Sequence, residues 1–211
     1  MGQIRAIFFD VGGVLLTNGW DTTERHAVLA QFNVNSADVD QFERLHAGPN
    51  DLWEKGEITV GEYLNKTLFT ESRDFTPEQF FAAMKAQSRV LPQGALAVLN
   101  AIATRGIYTV GMLNNEATEL NDYRIETFGL RDKFDVFCSS CYLGLRKPDP
   151  KIFQRALQIT QAAPGESVFI DDRETNVGVA KDAGMHGVRF TTPELLIKDL
   201  EALGIRELST T

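Results

Sequence analysis

Two kinds of hydrophobic pattern alternate along this chain. Short, nearly continuous apolar runs occur at 4–9, 108–113, 135–140, 167–170 and 186–190, each bounded by polar or turn residues. Runs of that length and continuity suit strands buried on both faces of a parallel sheet. Between the last four runs the apolar positions fall at helical spacing. Pro92 can open a helix carrying Leu96, Leu99 and Ile102, with Gly106 as its C-terminal stop. Asp149 and Pro150 read as an N-cap and a first-turn proline ahead of Ile152, Phe153, Ala156 and Leu157. Thr192, Pro193 and Glu194 start a last helix with Leu196, Leu200 and Leu203 on one face. Strand and helix in alternation predict an α/β domain, a doubly wound parallel sheet.

Residues 17–89 break that rhythm and read as helices. Val28, Leu29 and Phe32, then Val39, Phe42 and Leu45, give two apolar faces. Thr59 with Glu62, and Thr76 with Gln79, have the spacing of capping boxes, the second with Pro77 at the first helical position. The expected organisation is a core of residues 1–16 and 90–211 with a helical cap, 17–89, inserted after the first strand. An insert there would sit over the carboxyl end of that strand, where open parallel sheets place ligands.

Composition narrows the function classes. The 211 residues carry 21 Lys and Arg against 29 Asp and Glu, a formal charge of −8. An acidic chain has no general attraction for nucleic-acid phosphates or anionic lipid, so neither partner is expected. No apolar run approaches the roughly 18 residues that span a bilayer. The opening MGQIRAIFFD reaches Asp10 too soon for a signal peptide, and Ala6 stands where the myristoylation pattern wants Ser or Thr. A cytoplasmic protein is expected. Cys138 and Cys141 form a C-x-x-C that the pattern places at a strand end and in a loop, which favours packing over redox or zinc chemistry. His26, His46 and His186 have no ligating spacing and read as surface or core residues. Trp20, Trp53 and Glu54 could face a site from the cap side, although aromatics on helices are commonly core.

The chemistry is carried by the strand ends. Asp10 closes the first strand; Asp171 and Asp172 close the fourth. If both strands are central, three carboxylates meet at one sheet edge, where their repulsion calls for a hard cation such as Mg²⁺. Asn114 and Asn115 follow the second strand and can hold a phosphate through amide and backbone N–H groups. Lys147, after the third strand and beside Arg146, can neutralise phosphate charge.

In that order, FFDVGGVL, GMLNNE, GLRKPDP and VFIDDRETNVGVAKDAG resemble the four motifs of the haloacid dehalogenase-like (HAD) hydrolases. The inserted helices resemble that superfamily's C1-type cap. EKGEITVGEYL resembles a cap segment of the branch with sugar-1-phosphatases and the phosphatase domain of epoxide hydrolases. The resemblance implies Mg²⁺-dependent hydrolysis of a small phosphomonoester, sugar phosphates included, through an aspartyl-phosphate on Asp10. It implies Mg²⁺ on Asp10, the Gly12 carbonyl and Asp172, with Asp171 beside them. Asn114 and Asn115 would hold phosphoryl oxygens, and Lys147 would offset charge on the nucleophile and the phosphoryl group. Two positions depart from the commoner pattern. Gly12 stands where phosphatases place an acid–base Asp, and Asn114 where Ser or Thr is usual. Two alternatives stay open: a 2-haloacid dehalogenase, from which the acidic pair 171–172 detracts, and a phospho-ligand-binding or regulatory protein with weak turnover.

Overall fold

A computed structural model describes residues 3–208; the outermost ends of the expected core segments, 1–2 and 209–211, lie outside them. Five parallel strands form one sheet in the order β3-β2-β1-β4-β5. They are β1 (Ala6–Phe9), β2 (Thr109–Met112), β3 (Val136–Phe137), β4 (Ser167–Asp171) and β5 (His186–Arg189). The order places β1 in the centre, with β2 and β4 as its neighbours, so the connections wind in both directions from it. Each expected apolar run contains one of these strands.

The period of two along β1 divides its side chains between two cores. Ile7 and Phe9 join Val110, Met112, Val168 and Ile170 on one face. That face is covered by α5 (Leu96–Arg105) and α10 (Pro193–Ala202), through Val98, Leu99, Ile102, Leu196 and Leu200. Ala6 and Phe8 join Phe169 on the other face, under α8 (Pro150–Thr160) and α9 (Glu174–Asp182). Gly111 on β2 has no side chain because the Phe8 ring occupies that space.

Four helices lie between β1 and α5: α1 (Thr22–Gln31), α2 (Ser36–Glu54), α3 (Val60–Thr67) and α4 (Pro77–Ala86). Both capping boxes form, at Thr59 with Glu62 and at Thr76 with Gln79. These helices enclose their own apolar cluster, including Trp20, Val28, Leu29, Phe42, Trp53, Tyr63, Phe80 and Met84. The cluster continues into α6 (Thr118–Thr127) through Ala117 and Leu120. The two strands of chain that lead into and out of the insert run side by side. Thr17 N–H donates to Arg89 O at 2.8 Å, and Thr17 Oγ1 donates to Gln87 O at 2.6 Å.

Three local expectations change. The helix expected from Pro92 begins at Leu96, because the preceding N–H groups of Leu91 and Ala95 pair with Leu15 O and Val14 O; Gly106 ends it in the left-handed conformation, as expected. Leu45 is exposed rather than part of the apolar face of α2. Cys141 belongs to a four-residue helix, α7 (Ser140–Leu143), while Cys138 precedes its cap, Ser139. Both cysteines are free, and burial pushes each thiol up to about 12, the reverse of the shift a redox pair needs. Among the described residues no helix is long and apolar enough to cross a membrane.

Candidate active site

The register of β1 on β4 brings the acids together. Phe9 faces Ile170 across the ladder, and Asp10 N–H donates to Ile170 O at 2.8 Å. Asp10 thus leaves the sheet beside Asp171. Carboxylate oxygens of Asp10, Asp171 and Asp172 all lie within 4.8 Å of one another. Asp10 and Asp171 are buried; Asp172 is half-buried.

Lys147 is the cation among them. Its Nζ lies 2.6 Å from Asp171 Oδ2 and 3.0 Å from Asp10 Oδ1, over the Phe169 ring, and the residue is only 3% exposed. Its backbone is fixed by Asn115. Asn115 Nδ2 donates to Lys147 O and Lys147 N–H donates to Asn115 Oδ1, both at 2.8 Å. The Asp149 side chain then caps α8, accepting from Lys151 N–H at 2.9 Å.

The three acids have different surroundings. Asp171 is saturated: besides Lys147 it accepts from Arg173 N–H at 2.8 Å and from Asn176 Nδ2 at 3.0 Å. Asp172 Oδ1 is buried with no hydrogen-bond partner. Burial pushes the Asp10 carboxyl up to about 6, opposed by Lys147 and reinforced by Asp171. Asp172 is also raised, first by burial and then by Asp171. Burial opposes the charge of Lys147, yet Asp10 and Asp171 outweigh it and hold the ammonium above its ordinary range. Three carboxylates and one ammonium leave a charge of −2, with a buried oxygen unpaired, which suits a hard divalent cation.

The loop after β1 follows the same demand. Gly13 has φ +73°, and a Cβ there would lie 2.5 Å from Asp172 Oδ2. Only glycine combines that backbone with the space the carboxylate takes. At Gly12 the φ is ordinary, but a Cβ would lie 3.1 Å from Asn18 Oδ1, so an uncharged amide fills the place beside position 12.

Above the acids lies a cavity of about 240 Å³, lined by Asp10, Gly12, Asn115 and Lys147 from the core and by Trp20, Arg25, His46, Asn50 and Glu54 from the insert. Asn114 is buried outside that lining, with Nδ2 donating to Asn121 Oδ1 at 3.0 Å, and Asn121 in turn donating to Ser139 Oγ. Trp20 both lines the cavity and packs edge-on against Phe42 and Phe80. Trp53 stacks on Tyr63 away from the cavity, and its Nε1 donates to Glu119 Oε2 at 2.8 Å. His46 lines the cavity, while His26 pairs with Glu43 and His186 Nε2 donates to Gly165 O.

Several lining residues carried no signal that the motifs pick out. Asn176 was readable as a polar residue in the first turn of a helix that follows two acids. Each of the four cavity arginines has a carboxylate partner. Arg25 meets Glu43 at 3.1 Å, Arg124 meets Glu116 at 2.6 Å, Arg146 faces Glu54 at 2.8 Å, and Arg173 meets Asp21 at 2.7 Å. Burial pushes Glu116 up to about 7, against the pull of Arg124. Arg124 also donates to Thr17 O, tying α6 to the entry of the insert.

A family model described as haloacid dehalogenase-like hydrolase matches residues 4–184. The chain belongs to the haloacid dehalogenase-like hydrolases. Flavin mononucleotide hydrolase 1 of Arabidopsis thaliana is 32% identical to this HAD-like chain over 160 residues, 72% of this chain and 61% of that protein. Acyl-CoA dehydrogenase family member 10 of Mus musculus is 29% identical over 94% of this chain, which spans only 19% of that protein. A HAD family enzyme of Bacteroides thetaiotaomicron, crystallised with magnesium and inorganic phosphate, superposes with a TM-score of 0.73 at 22% identity, covering 90% of this chain and 95% of that one. A dehalogenase superposes with a TM-score of 0.62 at 22% identity, covering 90% and 85%. At that identity both likenesses are of fold, and the HAD-like fold alone does not divide phosphoryl from haloacid chemistry.

Proposed function

We propose that this protein is a Mg²⁺-dependent phosphatase of small monophosphates whose remaining part is uncharged and rich in hydroxyl groups, sugar phosphates among them. The observation that carries the reading is the −2 charge left by Asp10, Asp171, Asp172 and Lys147, with Asp172 Oδ1 buried and unpaired. An alkyl-halide substrate has no use for such a residue of negative charge. A divalent cation with a phosphate dianion has.

Asp10, Asp172 and the Gly12 carbonyl would hold Mg²⁺, with Asp171 beside them. When bound, the ion neutralises Asp10 and the phosphoryl oxygens. In this reading a carboxylate oxygen of Asp10 attacks phosphorus, the ester P–O bond breaks, and the alcohol leaves. Water then attacks phosphorus of the aspartyl-phosphate, giving inorganic phosphate and free Asp10. Lys147 keeps Asp10 ionised and faces the charge that spreads over the phosphoryl oxygens. Asp171 holds Lys147. Asn115 faces the phosphoryl group while fixing the Lys147 backbone, and Asn114 steadies that turn through Asn121. Gly12 offers no proton, so the departing oxygen takes one from water, and esters with less basic leaving oxygens turn over faster.

Two features support the uncharged remainder. The cavity is small, below the roughly 300–1,000 Å³ usual for drug-sized ligands. Its four arginines are matched by carboxylates, so a second anionic group would meet no spare positive charge. A cytoplasmic location is part of the same reading, supported by two free, unreactive cysteines.

The test is phosphate release from a phosphomonoester panel with Mg²⁺ and with EDTA, for wild type and Asp10→Asn. Release that needs Mg²⁺ and is lost in Asp10→Asn, with circular dichroism unchanged, is the expected result. Release indifferent to EDTA or to Asp10→Asn overturns the mechanism. Halide release from 2-haloacids would move the protein to dehalogenase chemistry, and phosphate binding without turnover to a binding role.

A further inference from the structure

We propose that His46 is a specificity-determining residue, a neutral imidazole whose Nε2–H is aimed into the cavity to donate to an oxygen on the uncharged part of the substrate. The inference rests on the phosphatase reading above and adds which residue of the insert selects the leaving group.

Trp20 sets the direction of the relay. An indole N–H can only donate, and Trp20 Nε1 lies 2.8 Å from Tyr63 Oη, so that oxygen accepts. Tyr63 Oη also lies 2.7 Å from His46 Nδ1. Tyr63 is fully buried, and burial holds its phenol above the ordinary range, so it keeps its proton. If His46 Nδ1 carried a proton as well, the Tyr63 O–H would be left buried without an acceptor, at a cost of about 1–3 kcal/mol. Tyr63 therefore donates to Nδ1, and the ring proton of neutral His46 sits on Nε2.

The ring is fixed as well as polarised. His46 stacks on Phe42, with centroids 5.6 Å apart and planes 28° apart, and meets Tyr63 edge-on. Tyr63 is itself clamped by stacking on Trp53, with centroids 4.5 Å apart. Burial, with Arg25 next in weight, pulls the imidazole down to about 4, so it is neutral at physiological pH. Nε2 has no protein partner among the described residues, and His46 lines the cavity whose floor is Asp10 and Lys147. A buried relay with its free end on the substrate side is costly as mere packing and useful as a reader of an oxygen acceptor.

The test compares kcat/KM for polyol and sugar monophosphates with that for phenyl phosphate, whose leaving group carries no further oxygen. His46→Leu is expected to lower the ratio of the two about tenfold, mainly through KM for the polyol esters, in keeping with one lost hydrogen bond. His46→Gln, whose amide nitrogen can reach the Nε2 position, is expected to recover most of that ratio. Nitrogen-15 NMR of labelled histidine is expected to show Nδ1 without a proton. An unmoved ratio in a folded His46→Leu, an equal loss on both substrates, or a proton on Nδ1 overturns the assignment while wild-type turnover leaves the phosphatase reading standing. A wild type that releases phosphate from none of these esters overturns both.

Discussion

Asn115 grips the backbone of Lys147 at both ends of one residue, giving to its carbonyl and taking from its N–H at 2.8 Å each. That reciprocal pair joins the turn after β2 to the loop before α8, two segments 32 residues apart. The amide therefore sets where the ammonium stands between Asp10 and Asp171. Asn115→Ala is expected to lower kcat by about ten- to a hundredfold, since small misplacements of a positioned group carry losses of that order. Asn115→Asp, which keeps one acceptor and loses the donor, should not restore it. Phosphate release with saturating Mg²⁺ checks both.

Position 12 makes a second expectation. Gly12→Asp would supply the missing proton donor, but its Cβ crowds Asn18 Oδ1 at 3.1 Å. Gly12→Asp with Asn18→Ala is expected to exceed either single change, with a gain of about tenfold or more on esters with strongly basic leaving oxygens. The measurement is the slope of log kcat/KM against leaving-group pKa, which should flatten in the double variant. A slope as steep as wild type would remove the proposed proton deficit.

At Gly13 the prediction is destabilisation coupled to metal affinity. Gly13→Ala forces a methyl against Asp172 Oδ2 in a left-handed backbone. The backbone strain alone is about 1 kcal/mol or more. Urea unfolding should show that loss, and titration with Mg²⁺ should show weaker binding because Asp172 has to move. Gly165→Ala, where a Cβ meets nothing within 4 Å, is the control.

His46 gives a pH dependence with a definite sign. Its folded pKa of about 4 lies below the ordinary imidazole value of 6.5, so the unfolded chain binds a proton that the folded one refuses. Stability from this group is complete above about pH 6.5 and falls as pH drops towards 4. Between about pH 8 and pH 5 the loss is about 2 kcal/mol. Arg25 and Arg146 add to the depression of His46, whereas Glu43 and Asp21 oppose it. Asp10 and Glu116, both raised, gain stability over part of the same range, so the comparison is wild type against His46→Gln in urea at the two pH values. The variant is expected to be less sensitive to acid by about that amount.

The sequence carried the frame of this site well and its upper wall poorly. Buried parallel strands announce themselves as apolar runs, and caps as Thr-x-x-Glu or Asp-Pro, because those signals are local. The convergence of Asp10 with Asp171 and Asp172 was readable because strand order alone brings strand ends together. α6 was not, since its buried face carries Asn121 and Arg124 beside Leu120 and Ile125. Those polar side chains are buried because partners elsewhere in the chain, Asn114, Ser139 and Glu116, meet them. His46 was hidden for the same reason. Its meaning depends on Tyr63 and Trp20, which approach it only after α2 and α3 have packed.

The apolar cluster of the insert does not stop at its own helices but runs into Ala117 and Leu120 at the start of α6. Swinging the insert away as a detached lid would wet that seam, along with the grip of Glu119 on Trp53 and Val60. The exposed Arg173–Asp21 pair that bridges the rim costs little to part, so opening is expected there rather than on the α6 side. Amide hydrogen exchange is expected to be slowest along the seam and quickest around residue 21.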